Sequence, residues 1–571
     1  MNSNTEEAML DKVCSEFSKV IVVINANNPM ELDWVDNYDS IGAVILAPGT
    51  GQTGMAALGE IINGSVNPSG KTVDTYVKDL TQTPYYNNIG AFAYNNVDDL
   101  KEAIERGYDV CILNRCVNEK EARILLKKIR AYTMFVLNTV QVDRWTKWIG
   151  ASRRAKTIDL DTLQKFIDTD IQLFFSNSYG EKFIPQNLSI SQSFKGSVFW
   201  NGFNGVELEG DYGNDFYQVA YWRGNIPVFK DQSIDFWLEY EKDDSVSIQL
   251  KIEQFQSGSL STLQNRWIFS EEDLESVVSI TNKKMDGPVY VSLLAKGKGK
   301  LKIVGLHDRH SHKEYGSFLP GGIRKVTSKR EEVFMYFDPG DMKPPLNVYF
   351  SGYKTQEGFE GFYMMRNMGA PFLLISESRL EGGAFYLGDK EYENLIVSGI
   401  QDCLKQLGFD NSQLILSGLS MGTFGALYNG CKLRPHAILL GKPLASLGDI
   451  ARNERISRPG GFPTSLDVLS KNYGDMSLKS IDALNHRFWD LFDKTDWSQT
   501  KFIVSYMLED DYDMTAYDRL ISHIDDIGVE IIGKGVHGRH NDDTYSIVAW
   551  FKNQYEGILK SDFGRGDLDE E

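Results

Sequence analysis

Ser420 stands in a sequence whose spacing suits a nucleophile. It is the third residue of Gly418-Leu-Ser-Met-Gly422, where the glycines let the backbone turn sharply and expose a strained serine. Residues 413–417 before it predict a short buried strand, and residues 423–430 after it predict the start of a helix. A pattern this short also occurs by chance, so the rest of the chain must supply the groups that would activate the serine.

A serine nucleophile needs a base, and the base needs a carboxylate to orient it. Residues 501–506 predict a strand that runs into an acidic loop, and residues 529–532 predict a strand that runs into a loop with two histidines. Serine, then acid, then histidine, each after a strand, is the order found in the α/β-hydrolase fold. We therefore predict a catalytic triad; the alternative is a buried serine in a tight turn and two surface histidines.

Two histidines and three acids compete for the remaining roles. His540 directly precedes amide and acidic residues that suit the cap of a final helix, which is where this fold places its base. His537 lies three residues earlier, on the incoming loop, so we favour His540. Among the acids we favour Asp510, then Asp511, then Glu509.

The predicted chemistry is acyl transfer. Ser420 would attack an ester carbonyl, and the oxyanion hole would use the backbone N–H of Met421 and one N–H near Gly352 or Tyr353, after a predicted strand at 346–350. The same residues would serve an acyltransferase, with a sugar hydroxyl as acceptor, or an esterase, with water as acceptor. We therefore expect a serine-dependent acyltransferase or esterase, and a protein that keeps the fold only as a scaffold is the other alternative.

Composition excludes several classes of protein. A net charge of −19 over 571 residues, with a pI near 5.0, argues against a nucleic-acid-binding role. Five scattered cysteines do not suggest a disulfide framework and suit a reducing cytoplasm. We expect no signal peptide and no membrane span. The Cys111-x4-Cys116 spacing is a poor zinc signature, so we expect no metal. The glycine-rich loop that binds dinucleotides is absent, so we expect no bound cofactor.

The pattern of elements predicts an α/β protein of several domains. The fold expected is an α/β-hydrolase-like catalytic domain with an inserted antiparallel β-sandwich and an N-terminal Rossmann-like α/β region. The aromatic residues of the sandwich would fill its core or contact glycans. The boundaries predicted are an α/β piece at 1–96, a Rossmann-like region at 97–188, the sandwich at 189–312, the catalytic domain at 330–560 and an acidic tail at 561–571.

Residues 1–96 resemble the C-terminal α/β domain of family 3 glycoside hydrolases. The resemblance rests on Asn28-Pro-Met-Glu-Leu, Ala47-Pro-Gly-Thr-Gly-Gln and Val66-Asn-Pro-Ser-Gly-Lys-Thr-Val-Asp-Thr-Tyr76. The barrel that carries that family's catalytic aspartate has no counterpart in this chain. We therefore expect no glycosidase activity and interpret the segment as a fused or misassembled remnant, with carbohydrate contact as the alternative.

Residues 100–565 resemble the accessory secretory protein two family of the accessory Sec system of Gram-positive bacteria. The resemblance rests on Phe350-Ser-Gly-Tyr353, Gly418-Leu-Ser-Met-Gly-Thr-Phe-Gly-Ala, Tyr506-Met-Leu-Glu-Asp-Asp-Tyr-Asp and Gly538-Arg-His-Asn-Asp. It implies an O-acetyltransferase that modifies N-acetylglucosamine on serine-rich-repeat glycoprotein adhesins before export. Ser420, Asp510 and His540 would be its nucleophile, acid and base, although some members carry Glu as the acid.

The same resemblance implies partners and a location. The expected partners are accessory Sec proteins one and three, the accessory SecA and the adhesin substrate, with no nucleic acid. The expected location is cytoplasmic, and peripheral association with the inner face of the membrane stays open. An acetyl donor would be required by a transferase, and the sequence does not identify it.

Overall fold

The computed structural model describes residues 4–25, 32–47, 54–66, 108–174, 180–259, 261–315, 321–524 and 528–566. The chain divides into two compact units, 1–96 and 97–571, which are taken separately. Most of the glycosidase-like sequences and the end of the acidic tail lie outside the described residues. The same holds for residues 100–106, whose pattern predicts a helix. Among the described helices, none is long and apolar enough to cross a membrane.

The first unit is built on two parallel strands, Val20–Ile24 and Ile41–Leu46. The apolar runs at residues 19–25 and 40–47 predict both strands to within one residue at each end. Runs of Val and Ile favour extended backbone because their branched side chains pack well on a pleated surface. Residues 55–62 follow a glycine-rich turn and predict a helix, which is present as Gly54–Ile62. The sequence did not predict helix Asn4–Glu16 or the 3₁₀ turn Asp33–Asn37.

The second unit opens with a small parallel sheet of three strands, Cys111–Leu113, Met134–Leu137 and Lys156–Ile158. Its two helices, Glu119–Lys128 and Arg144–Ser152, are each capped by a side chain that accepts a backbone N–H. The apolar run at residues 173–176 predicts a short strand, and this prediction is wrong in its described part. That part belongs instead to a run of short helical turns, because its apolar rings pack into an aromatic cluster. The run comprises Leu160–Thr162, Leu163–Lys165, Phe166–Asp170 and Ile171–Phe174.

Ten strands then form a single antiparallel sheet, called here the antiparallel sheet. They are connected because the 24-residue strand Gly287–His310 pairs with five of the others. Buried and half-buried residues alternate along Val246–Phe255, as expected for a strand with one face on the core. Closure of this sheet into a sandwich stays a prediction. The strands are Glu181–Phe183, Leu188–Ile190, Ser197–Trp200, Val206–Trp222, Ile226–Val228, Ser233–Lys242, Val246–Phe255, Leu263–Phe269, Val278–Thr281 and Gly287–His310.

The third sheet has eight strands and carries the candidate site. Its spatial order is Ile323–Val326, Glu332–Asp338, Phe372–Glu377, Leu346–Phe350, Leu414–Leu419, Ala437–Gly441, Lys501–Met507 and Ile531–Val536. The first two junctions are antiparallel and the other five are parallel. The parallel part was predicted, whereas the antiparallel edge was not. The last strand was predicted at 529–532 and is shifted toward the C-terminus.

Helices cover this sheet and enclose its apolar strands. They are Phe362–Asn367, Lys390–Leu407, Met421–Leu433, Leu447–Ile456, Thr464–Tyr473, Leu478–Asp493, Ala516–Ile524 and Thr544–Ser561. Met421–Leu433 is buried almost throughout, which explains its small residues and glycines. Gly408 ends Lys390–Leu407 with φ 73°, a left-handed conformation that glycine adopts readily at the end of a helix.

Candidate active site

Ser420 lies at the sharp turn between a buried strand and the helix that follows. Its backbone has φ 50° and ψ −121°, a region that L-residues rarely occupy and that is typical of strained functional residues. Two glycines make this turn possible. A Cβ on Gly418 would lie 2.4 Å from the backbone of Gly422, and one on Gly422 would lie 2.1 Å from the carbonyl oxygen of Phe350. The G-x-S-x-G spacing therefore follows from close backbone packing.

Three of the predicted side chains form one hydrogen-bonded chain. Ser420 Oγ lies 2.8 Å from His540 Nε2, and His540 Nδ1 lies 2.7 Å from Asp510 Oδ2. His540 is 1% exposed and Asp510 is 4% exposed. In the neutral state, the network fits a serine hydroxyl that donates to Nε2 and an Nδ1–H that donates to the carboxylate. This is the geometry a general base needs in order to take a proton from a serine.

The other two candidate acids are engaged elsewhere. Glu509 contacts His537 at 3.0 Å, and the His537 side chain is 86% exposed. Asp511 accepts the backbone N–H of His540 at 3.0 Å and the Nε–H of Arg458 at 2.8 Å. The structure thus places His537 away from the serine, while Asp511 holds the backbone of the histidine that faces it.

The carboxylate of Asp510 is oriented by the loop in which it lies. Its Oδ1 accepts the backbone N–H groups of Tyr512 at 2.8 Å and Asp513 at 3.2 Å, which leaves Oδ2 for His540. Burial raises the pKa of Asp510, but the hydrogen bond and charge of His540 and the two N–H groups outweigh burial and hold the pKa below its usual range. The ionised carboxylate is therefore the favoured form at neutral pH.

An aromatic residue missed in the sequence covers the imidazole. The ring of Tyr512 lies 4.3 Å from that of His540, tilted by 43°. The guanidinium of Arg458 lies 4.1 Å from the centre of the Tyr512 ring, and Phe462 stacks on the same ring at 5.4 Å. Tyr512 could have been noticed, because it lies two residues after the predicted acid. Arg458 and Phe462 are some fifty residues away and carry no local signal.

The candidate oxyanion donors differ in availability. The Gly352 N–H donates to Glu360 Oε2 at 2.7 Å, so it is already engaged. In the described part of the chain, the N–H groups of Tyr353 and Met421 donate to no other residue. A Cβ on Gly352 would lie 3.3 Å from the carbonyl oxygen of Leu419, so this loop lies directly beside the serine turn. Tyr353 and Met421 are accordingly the pair left to receive an oxyanion.

One group of described side chains is close enough to suggest a metal site. Glu239, His307 and Glu332 bring one potential ligand atom each within 4.8 Å of one another. Arg309 and Arg324 already form ion pairs with Glu332, however. Two guanidinium groups at one carboxylate supply the positive charge that a metal ion would bring, so these residues do not fit a metal centre.

The strand–turn–helix at Ser420, the parallel strands and the order of the three polar residues are those of an α/β-hydrolase-like protein. The chain belongs to the accessory Sec system GspB-transporter family, whose model matches residues 70–565. The model of the glycosyl hydrolase family 3 C-terminal domain matches residues 1–110. The two matches overlap, and both resemblances predicted from the sequence are confirmed.

Two relatives align with most of the chain. The accessory Sec system protein two of Staphylococcus aureus is 45% identical over 68% of this chain and 75% of its own length. That of Streptococcus gordonii is 43% identical over 72% of this chain and 80% of its own length. A solved structure, the glycosylation-associated Gap123 complex of Streptococcus agalactiae, contains a chain that is 33% identical. The structural match covers 96% of the present chain and 100% of the chain from the Gap123 complex, with a TM-score of 0.75.

Proposed function

We propose that this accessory Sec component transfers acetyl groups to sugars of an adhesin before its export, with Ser420 as nucleophile, His540 as base and Asp510 as orienting acid. The observation that carries the proposal is the buried hydrogen-bonded chain that links these three residues, at 2.8 Å and 2.7 Å. A scaffold would not need a serine in a strained conformation aligned with an imidazole and a carboxylate. The glycosylated adhesin as acceptor comes from the family resemblance.

The reaction would run in two halves. Ser420 attacks the acetyl carbonyl of a donor while His540 takes its proton, and the N–H groups of Met421 and Tyr353 receive the oxyanion. The donor's leaving group departs with the proton from His540, which leaves an acetyl-serine. A sugar hydroxyl then attacks this ester, and His540 takes the hydroxyl proton. Transfer is completed when Ser420 leaves with a proton returned by His540.

We propose that the protein works in a complex with other accessory Sec proteins. The support is the similarity over nearly the whole chain to a subunit of the Gap123 complex of Streptococcus agalactiae. In such an assembly the acetylated glycoprotein would be handed to an export ATPase without release. The subunits would be the equivalents of accessory Sec proteins one and three.

The test compares wild type with Ser420→Ala, which removes one oxygen and keeps the turn. The adhesin is co-expressed with its glycosyltransferases and either variant, and its mass is measured. We expect 42-Da steps on the glycan only with wild type, since acetylation replaces a hydrogen by C₂H₃O. Co-purification with the partner proteins should be unchanged.

Three other outcomes separate the alternatives. Equal acetyl content with both variants would show that Ser420 is not the nucleophile. Less acetyl with wild type than with Ser420→Ala would identify an esterase that releases acetyl groups to water. Loss of both acetylation and complex formation in Ser420→Ala would make the serine structural.

A further inference from the structure

A group of charged side chains is buried where the antiparallel sheet meets the eight-stranded sheet. None of these side chains is more than 14% exposed. Charges at this depth are costly unless each is paired. We call this group the buried charge cluster, and it comprises Lys182, Glu239, His307, Arg309, Arg324, Glu332 and Glu357.

His307 lies at the centre of the cluster. Its Nδ1 is 2.5 Å from Glu357 Oε1 and its Nε2 is 3.0 Å from Glu239 Oε1. Both ring nitrogens face carboxylates, so the ring donates from both and carries a positive charge. Burial and the charge of Arg309 lower the pKa of His307, but Glu357, Glu332 and Glu239 outweigh them and raise it.

Arg309 also links the antiparallel sheet to the part of the chain that carries the eight-stranded sheet. Its guanidinium forms two hydrogen bonds to Glu357, at 2.7 and 2.8 Å, and two to Glu332, at 2.8 and 2.6 Å. Arg309 and His307 both belong to strand Gly287–His310 of the antiparallel sheet. Three short, charge-assisted hydrogen bonds from that strand therefore end on the single carboxylate of Glu357.

Glu357 differs from the other acids of the cluster because it lies in no strand. It belongs to loop 351–361, which also contains Tyr353, a candidate oxyanion donor. Within that loop, Glu360 accepts the Gly352 N–H at 2.7 Å and donates its own N–H to Ser351 Oγ at 3.1 Å. One acid of the loop thus fixes its internal shape, and the other attaches it to the antiparallel sheet.

A second loop, which contains Ser378 and Gly382, lies beside Tyr353 and is also held by a residue of the buried charge cluster. Lys182 Nζ donates to the carbonyl oxygen of Ser378 at 2.8 Å. The following segment packs on the Tyr353 ring, since a Cβ on Gly382 would lie 2.4 Å from it. Both loops that surround the candidate oxyanion donor are therefore tied to the antiparallel sheet.

We propose that Glu357 is a positioning residue: clamped by His307 and Arg309, it holds loop 351–361 so that the Tyr353 N–H points at the oxyanion formed on Ser420. This inference rests on the proposed function. The antiparallel sheet would then contribute to the rate of the reaction although it supplies no reacting group. A displaced oxyanion donor lowers the rate of the chemical step more than it weakens substrate binding.

The test uses the full chain and p-nitrophenyl acetate as the acyl donor. Glu357→Gln keeps the shape of the side chain but removes the charge that His307 and Arg309 bind. We expect kcat to fall about 10- to 100-fold, less than or equal to the loss of one whole oxyanion donor, with KM within about threefold. The rate at which a fluorophosphonate labels Ser420 should fall by a similar factor, because its phosphoryl oxygen enters the same hole.

Asp338→Asn is the matched control. It removes another buried carboxylate that accepts two guanidinium hydrogen bonds, from Arg153 at 2.8 and 3.2 Å, but it lies outside the buried charge cluster. We expect a comparable drop in Tm and a kcat within about threefold of wild type. If Glu357→Gln does not fold, Glu357→Asp keeps the charge, shortens its reach and should show the same loss in kcat.

The remaining outcomes overturn the inference. Equal losses of kcat in the Glu357 and Asp338 variants would attribute the loss to general destabilisation and make the cluster a purely structural feature. An unchanged kcat in Glu357→Gln would exclude positioning. A wild-type protein that neither turns over the ester nor is labelled at Ser420 would instead overturn the proposed function, and the inference with it.

Discussion

Replacement of Asp510 by asparagine should nearly abolish turnover through a change of histidine tautomer. Oδ1 of Asp510 accepts two backbone N–H groups, at 2.8 and 3.2 Å. An asparagine must therefore keep its carbonyl oxygen there, because the flipped amide would point NH₂ at two donors. Its NH₂ group then takes the place of Oδ2, 2.7 Å from His540 Nδ1. A donor at that position requires an unprotonated Nδ1, so the imidazole proton moves to Nε2.

This change of tautomer affects Ser420, whose Oγ lies 2.8 Å from His540 Nε2. A protonated Nε2 cannot accept the serine proton, and the charge of the carboxylate that would stabilise an imidazolium is also gone. We expect kcat for an aryl acetate to fall by about 10⁴-fold, the order found when a triad aspartate becomes asparagine. That corresponds to about 5 kcal/mol of transition-state stabilisation.

Asp511→Asn is the matched control, because its amide oxygen can still accept the His540 N–H. It loses only the partly exposed ion pair with Arg458, so kcat should stay within about threefold. The measurement is steady-state turnover of p-nitrophenyl acetate, with Tm recorded for each variant. The tautomer argument is wrong if Asp510→Asn keeps more than a tenth of wild-type kcat.

Two further predictions concern the same loops. His540→Ala and Ser420→Ala, alone or combined, should fall to one residual rate, because members of a triad act as a unit. His537→Ala should keep most of its activity, and a dead His537→Ala beside an active His540→Ala would reverse the assignment of the base. Burial raises the pKa of Asp513 to about 6, against about 3.9 for an unfolded aspartate. Its stabilising contribution is therefore complete below about pH 4 and lost as pH rises through 6. Asp513→Asn should raise the free energy of unfolding by up to about 3 kcal/mol at pH 7.5 and by little at pH 4. Urea unfolding at both pH values tests this, and an equal effect at the two would contradict it.

The sequence predicted the strand–turn–helix at Ser420 because its signals are local. Glycine spacing, a short apolar run and a helix start all lie within about 18 residues. The last strand was placed too early for a related reason. Gly533 and Gly535 were interpreted as loop residues, yet they lie inside Ile531–Val536. The Tyr517 hydroxyl fills the space where a Cβ on Gly533 would stand, and such an approach from another element leaves no mark in the sequence.

The features of the candidate site that the sequence does not predict depend on contacts between segments that are distant in the chain. Glu360 accepts the N–H of Gly352, which leaves the N–H of Tyr353 as the available one of the two adjacent candidate oxyanion donors. This contact depends on the shape of the loop, which no periodicity in the sequence predicts. Arg458 reaches Tyr512 and Asp511 across some fifty residues. Arg309 on one sheet holds Glu357 on a loop of another. A charged residue in a sequence favours a solvated surface, so a buried ion cluster is not predicted by composition.

The sheet itself explains why His540, and not His537, lies beside Ser420. Strand Leu414–Leu419 ends at Ser420, and two strands separate it from Ile531–Val536. Three strand spacings of about 4.8 Å make about 14 Å that the histidine loop must cross. An extended chain spans at most about 3.5 Å per residue, so four residues past Val536 allow about 14 Å, and one residue allows about 3.5 Å. Only His540 can reach the serine from that strand, whereas His537 must stay at the edge, where it faces solvent beside Glu509.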